Sequence, residues 1–419
     1  MKRKRVAGEE KVIQFWNCFL IKNHEKIKDD LWIRDGKILD PHVLFFDEHV
    51  AADVKIDCKG LIIAPGYIDV QINGGFGVDF SSDIESIETG IGKVCEKLLQ
   101  YGVTSFCPTI VTSAKETYHQ LLPRIANSST NTRGATVLGL HLEGPFINKE
   151  KKGAHKELYI EALDSQGINK MIEHYGTLNF VKIVTMAPEQ PFALKTIEDL
   201  TTKGITVSIG HTMGCLDIAA DAANCGARFI THLFNAMLPF HHRDPGVVGL
   251  LTSTPQDLRG PIYFGIIADG IHTHPTAVRI AHRSHPEGLV LVSDAIAALG
   301  LRPGKHCLGT VEVEIHDGKA TVAGLKTLAG SIASLDYCVR QFKEFTGCSK
   351  VQALEAASLH PAQLLQISDR KGTLNYGADA DIIMLNDDLE VQATFIAGNL
   401  EWLNDSNAVV KQVFKDYEN

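Results

Sequence analysis

Residues 206–235 read TVSIGHTMGCLDIAADAANCGARFITHLFN. An almost unbroken apolar run, Thr206 to Gly210, is followed by a segment of helical length and spacing, Leu216 to Cys225, and then by a second apolar run, Arg228 to Leu233. Short buried strands alternating with helices are the pattern of βα units around a parallel sheet. Each run ends in a histidine, His211 and His232.

Outward from this stretch the alternation continues, giving eight strand-like runs: Gly66 to Ile72, Thr104 to Ile110, Val137 to Leu142, Val181 to Ala187, Thr206 to Gly210, Arg228 to Leu233, Tyr263 to Ala268 and Leu289 to Ser293. Parallel strands covered on both faces read as continuous apolar runs. Eight of them make an α/β fold with a closed (β/α)8 TIM-like barrel the leading architecture, and counting alone leaves a doubly wound open sheet as the alternative. Pro239 to Pro261, rich in His, Arg, Pro and Gly, is too long for a simple connection and reads as an active-site loop. Val311 to Val322 alternates around Asp317-Gly318 as an inserted hairpin before a helix beginning near Ser331.

The two ends read differently. Val12 to Ile21, Leu31 to Ile38 and Asp53 to Ile63, with a hairpin-type turn at Asp35-Gly36, look like half of a small sheet, and Ala380 to Leu385 with Val391 to Ile396 would supply the other half. The expected organisation is a barrel over residues 65–370 and a small β-sandwich domain formed from both chain ends, 1–64 and 371–419.

Composition excludes several classes. A formal net charge of −9 argues against a nucleic-acid partner, whose phosphates call for clustered Lys and Arg. The basic run Lys2 to Arg5 reads as a solvated tail. No signal-peptide pattern opens the chain and no stretch of about 18 apolar residues could span a bilayer, so a cytoplasmic protein without a membrane partner is expected. The nine cysteines are scattered without a C-x-x-C pair, which fits reduced thiols and no cysteine-based zinc site.

Catalytic side chains of a barrel sit at the carboxyl ends of its strands. Here those ends carry His141-Leu142-Glu143, Gly210-His211, Thr231-His232 and Ser293-Asp294. Glu143, His211 and His232 form a His2Glu set that holds a catalytic metal and leaves one position for water. The plainer reading, a hydrogen-bonded histidine, is the better one for any single His and weakens when three such residues stand at strand ends. Asp294 can take a proton from water and return it to a departing nitrogen, or serve only as a turn or N-cap carboxylate. Arg243, Asn235 and His272 suit an anionic polar substrate, with a surface ion pair the alternative for Arg243. His141 points the same way as Glu143 by the strand period and is set aside as a core or supporting histidine. The glycines of Asn73 to Gly77 lack a following Lys-Ser/Thr and read as a turn.

Taken together, Pro65 to Gly74, His141 to Ile147, Gly210-His211-Thr212, Thr231 to Met237, Asp269 to His272 and Ser293-Asp294-Ala295 resemble, in order, the motifs of the N-acetylglucosamine-6-phosphate deacetylases of the amidohydrolase superfamily, the animal form above all. The resemblance covers roughly residues 12 to 402. It implies a divalent metal, usually zinc, on Glu143, His211 and His232, with Asp294 as the proton-transferring group. It implies too that His155 polarises the acetyl carbonyl and that Ala154 lines the sugar site. Asn235, Ala236, Arg243 and His272 would contact the sugar phosphate, Asp269 would belong to the substrate site, Leu328, Ala329 and Gly330 would close around the substrate, and a homodimer would share sites through the Arg243 loop. Many amidohydrolases hold a second metal with His-x-His on the first strand. Gln71-Ile72-Asn73 stands there instead, so one metal is expected. Another phosphorylated N-acetylhexosamine is the nearest rival substrate, and a non-catalytic scaffold is the rival class.

Overall fold

The computed structural model describes residues 11–129, 133–253, 257–308, 311–324 and 327–407, so the basic run Lys2 to Arg5 lies outside it. Eight parallel strands form the barrel: β1 (Tyr67–Ile72), β2 (Val103–Val111), β3 (Leu140–Glu143), β4 (Val181–Met186), β5 (Thr206–Ile209), β6 (Phe229–Ile230), β7 (Tyr263–Ile266) and β8 (Leu289–Leu291). Each pairs in parallel with the next from β1 to β8. The seam between β8 and β1 is bridged rather than laddered. At the top Asp294 N donates to Gln71 O at 2.8 Å, and at the bottom Leu291 N and Ile68 N donate to Ala356 O and Ala357 O, each at 2.8 Å. A barrel, not an open sheet, is therefore the fold. Its lower interior is filled by Ile68, Val70, Ile183, Phe229 and Val290, with Leu364, Leu365 and Ile367 plugging the base.

Departures from the expected runs have local causes. The third run is split into Thr136–Val137 and Leu140–Glu143 around Gly139, which adopts φ +140 where a Cβ would meet Phe180 O at 2.7 Å. After β6 the expected long loop is only partly loop. Pro239 to Asp244 is exposed, but Gly246–Thr252 is a mostly buried 3-10 helix packed on the Leu216–Asn224 helix, standing where the crossover helix would be. The hairpin after β8 forms, with Val311–His316 antiparallel to Lys319–Val322, and the next helix is Leu335–Thr346.

Both ends of the chain meet in one eight-stranded sheet. Its junction is the antiparallel pairing of Ile62–Pro65 with Ile382–Leu385. Phe15 packs edge-on against Phe395 at 5.3 Å within a core separate from that of the barrel. The sheet has a hairpin beyond the expected one: Asn23 and His24, at φ 53 and 61, turn Ile13–Lys22 into Glu25–Arg34. None of the nine cysteines is in a disulfide, and no helix among the described residues is long and apolar enough to cross a membrane.

The start of β1 sits hard against β2: a Cβ at Gly66 would come within 2.1 Å of Thr104 Oγ1 and 2.7 Å of its Cβ. Gly66→Ala should destabilise the chain by about 1–3 kcal/mol through overpacking, with Thr104→Ala restoring part of the loss. Equal denaturant midpoints for Gly66→Ala and the parent would show that the strands are not so tightly apposed.

Candidate metal centre

Polar residues gather on the carboxyl-terminal rim of the barrel. Glu143 ends β3, His211 and His232 lie two residues beyond β5 and β6, and Asp294 lies three beyond β8. The chain leaves these strands by left-handed turns, with φ 50 at His211, 28 at His232 and 46 at Asp294. Such backbones cost non-glycine residues roughly 1–3 kcal/mol and persist only where the surroundings over-determine them.

The donor atoms converge. Glu143 Oε1 lies 2.9 Å from His211 Nε2 and 3.0 Å from His232 Nε2, and the two ring nitrogens are 3.1 Å apart. His211 Nδ1 is 2.7 Å from Lys151 O, which can only accept, so the neutral ring carries its proton on Nδ1 and presents a lone pair at Nε2. Burial supports the neutral ring by lowering its pKa to about 4. Lone pair and carboxylate oxygen pressed together call for a cation, and a carboxylate with two imidazoles is the donor set of a catalytic zinc site.

Glu143, His155 and His211 also bring ligand atoms within 4.8 Å of one another. The hydrogen bonds of His155 give it another part. Thr112 N donates to its Nδ1 at 3.3 Å and Thr112 Oγ1 lies 2.7 Å from the same atom, so the proton of the neutral ring is on Nε2. That Nε2, 3.7 Å from Glu143 Oε1, faces the centre as a donor and not as a ligand. The His2Glu set with His232 fits a metal better.

Two amides donate to the carboxylates of Glu143 and Asp294. Gln71 Nε2 donates to Glu143 Oε2 at 3.1 Å and to Asp294 Oδ1 at 3.3 Å, and Asn73 Nδ2 donates to Asp294 Oδ1 at 2.7 Å. These N–H groups tie the two carboxylates together. Burial works against the ionisation of Glu143, yet the His155 N–H and the charge of His232 hold its carboxyl well below the usual range. Burial and the charge of Glu143 push Asp294 up to about 6.

The remaining expected residues are distributed unevenly. Asp269 Oδ2 lies 2.6 Å from His272 Nδ1, and its Oδ1 accepts from the backbone N–H of Ile271 and His272 at 2.8 Å. Although burial opposes it, Asp269 raises the pKa of His272, favouring the cation that an anionic substrate needs. Asn235 and Ala236 are half-buried on the turn after His232, with Ala236 at φ 52. Leu328–Gly330 runs beside the Asp294 turn, because Ile296 N donates to Ser331 O at 2.9 Å. Ala154 is exposed next to buried His155. Arg243 is exposed, its Nε donating to His242 Nε2 at 3.3 Å, and the structure shows no hydrogen bond from it to the metal set.

Two carboxylates escaped the sequence reading. Glu189 accepts from Thr212 Oγ1, from Met213 N at 2.7 Å and from Asn148 Nδ2 at 2.9 Å, joining the loops that carry His211 and His155. Pro188 separates it from the end of β4, which hid it; a carboxylate just past a strand end was the available signal. Asp69 lies inside the apolar run of β1 and accepts from Gln71 N and Ser293 N, each at 3.3 Å.

An eight-stranded barrel with carboxylate and imidazole donors on its carboxyl-terminal rim is the design of a hydrolase that works with a bound metal ion. The model of the Amidohydrolase family matches residues 62–400. The N-acetylglucosamine-6-phosphate deacetylase of Homo sapiens is 55% identical over 406 residues, 97% of this chain and 99% of that protein. The solved deacetylase of the same name from Pasteurella multocida superposes with a TM-score of 0.82 at 30% identity, over 94% of this chain and 100% of that one. A mutant of the Mycobacterium smegmatis enzyme in complex with N-acetyl-D-glucosamine-6-phosphate gives 0.79 at 27% identity, over 94% and 100%. The chain belongs to the amidohydrolase family and, within it, to the N-acetylglucosamine-6-phosphate deacetylases.

Burial raises the Asp69 carboxyl to about 7, above the usual unfolded value of about 3.9. The folded state therefore holds the proton more tightly, and the contribution of Asp69 to stability is full below about pH 4 and lost as pH rises through about 7. Between pH 4 and 8 the Asp69→Asn variant should gain about 4 kcal/mol on the parent in urea unfolding. A constant difference across that range would mean that Asp69 is ionised throughout.

Proposed function

We propose that this chain hydrolyses N-acetyl-D-glucosamine 6-phosphate to D-glucosamine 6-phosphate and acetate, a step of amino-sugar metabolism. The observation that carries the reading is the convergence of Glu143 Oε1 with the Nε2 atoms of His211 and His232, opposite an Asp294 held by Asn73. Bound there, one divalent ion, zinc by the donor set, would polarise the amide carbonyl and make a water acidic enough to lose a proton near neutral pH.

The residues of the chain supply the rest. Asp294 accepts the proton of the attacking water and returns it to the amide nitrogen, without which the amine is a poor leaving group. His155, with its proton on Nε2, donates to the carbonyl oxygen as negative charge develops there. Gln71 and Asn73 keep Asp294 aimed at the reacting carbon by their amide N–H groups. His272, charged beside Asp269, and Asn235 and Ala236 meet the sugar phosphate, while Ala154, Leu328, Ala329 and Gly330 close over the sugar. The exposure of Arg243, away from any described carboxylate partner, suits a guanidinium that reaches the phosphate of a second subunit in a homodimer. Nine cysteines outside any disulfide suit the reducing cytoplasm.

Acetate release from N-acetyl-D-glucosamine 6-phosphate should be abolished by a chelator and restored by zinc. Asp294→Asn should keep its zinc and lose about 100- to 10,000-fold in kcat. Near-parent turnover of that variant would remove Asp294 from the proton path, and preference for the galacto epimer would reassign the substrate.

A further inference from the structure

Beneath the rim runs a buried polar chain that the reaction above leaves unused. His141 Nδ1 lies 2.9 Å from Val70 O and its Nε2 2.7 Å from Thr185 Oγ1. Thr185 Oγ1 is 2.7 Å from Thr231 Oγ1, which is 2.5 Å from Ser208 Oγ. All four residues are 0% exposed. The chain crosses the barrel from β1 through β3 and β4 to β5 and the residue after β6, and its members sit just below the metal set. Val70 precedes Gln71, His141 stands two residues before Glu143, Ser208 three before His211, and Thr231 directly before His232. Thr185 is the register partner of Glu143, and its carbonyl accepts from Gly144 N at 3.2 Å.

The order of protons follows from chemistry. The Val70 carbonyl only accepts, so His141 donates from Nδ1. The ring's hydrogen-bond partners are a carbonyl and a hydroxyl, neither of which compensates a buried positive charge, so the ring is neutral and Nε2 accepts from Thr185. Thr185 in turn accepts from Thr231, and Thr231 from Ser208. Each hydroxyl proton has one destination, and losing any member leaves its neighbours with buried unpaired groups.

We propose that His141 is a positioning residue: through Thr185, Thr231 and Ser208 it locks the strand ends that aim Glu143, His211 and His232 at one point. The inference rests on the metal reading above and deepens it. Such support from beyond the ligands is commonly needed to orient a metal set.

Thr231→Val removes the hydroxyl at nearly constant volume and leaves Ser208 without an acceptor. Zinc affinity by competition with a chromophoric chelator should fall about ten- to a hundredfold, and Thr231→Ser should restore it. The kcat should fall with it while KM for the sugar phosphate stays within about threefold. His141→Asn, which keeps a donor near Nδ1 but nothing at Nε2, should give the same loss, and the double variant should be no worse than the poorer single one. If either variant fails to fold, Thr185→Val against Thr185→Ser makes the same comparison. Parent-like zinc affinity and kcat with a lowered Tm alone would make the chain a core filler and overturn the proposal. A parent that binds no zinc would remove the metal reading itself, so the two failures are distinguishable.

Discussion

The structure turns on one crowding of like groups: a carboxylate oxygen and a ring lone pair held 2.9 Å apart, with a second imidazole nitrogen 3.1 Å from the first. A lone pair and a carboxylate oxygen buried so close favour a cation between them. Every nearby oddity serves that convergence. The left-handed turns at His211, His232 and Asp294 swing side chains over the barrel mouth, and the Lys151 carbonyl fixes the tautomer of His211. Glu189 ties together the loops on which His211 and His155 stand.

The amides of Gln71 and Asn73 hold the two carboxylates of the rim together. A carboxylate pair such as Glu143 and Asp294 can be neutralised by a second ion or satisfied by N–H donors. Here the donors are present, at 3.1 Å and 2.7 Å. A neutral amide supplies hydrogen bonds without net charge, which leaves the Asp294 carboxyl raised by burial and by Glu143 and so better matched to moving a proton near neutrality.

Much of this was legible because a parallel barrel converts strand ends into a ring: Glu143, His211, His232 and Asp294 follow apolar runs, and the topology brings them together. The small sheet was legible as two halves, since its strands alternate and chain ends tend to meet. What escaped depends on contacts distant in sequence. Nothing near His155 says that Thr112 N will bond its Nδ1, and Glu189 hides behind a proline. Gly139 interrupts the third run where Lys182 and Phe180 leave no room for a Cβ, and Gly246–Thr252 is buried by packing against a neighbouring helix rather than by a helical pattern of its own. Charged residues such as Glu25 and Lys26 concealed the early start of a strand whose outer face is exposed.

The most direct measurement is a calorimetric zinc titration of the metal-stripped chain, set beside Glu143→Gln, His211→Asn and His232→Asn. The account predicts one equivalent of tightly bound zinc in the parent and its loss in each variant. Two equivalents in the parent, or one equivalent retained by all three variants, would contradict it.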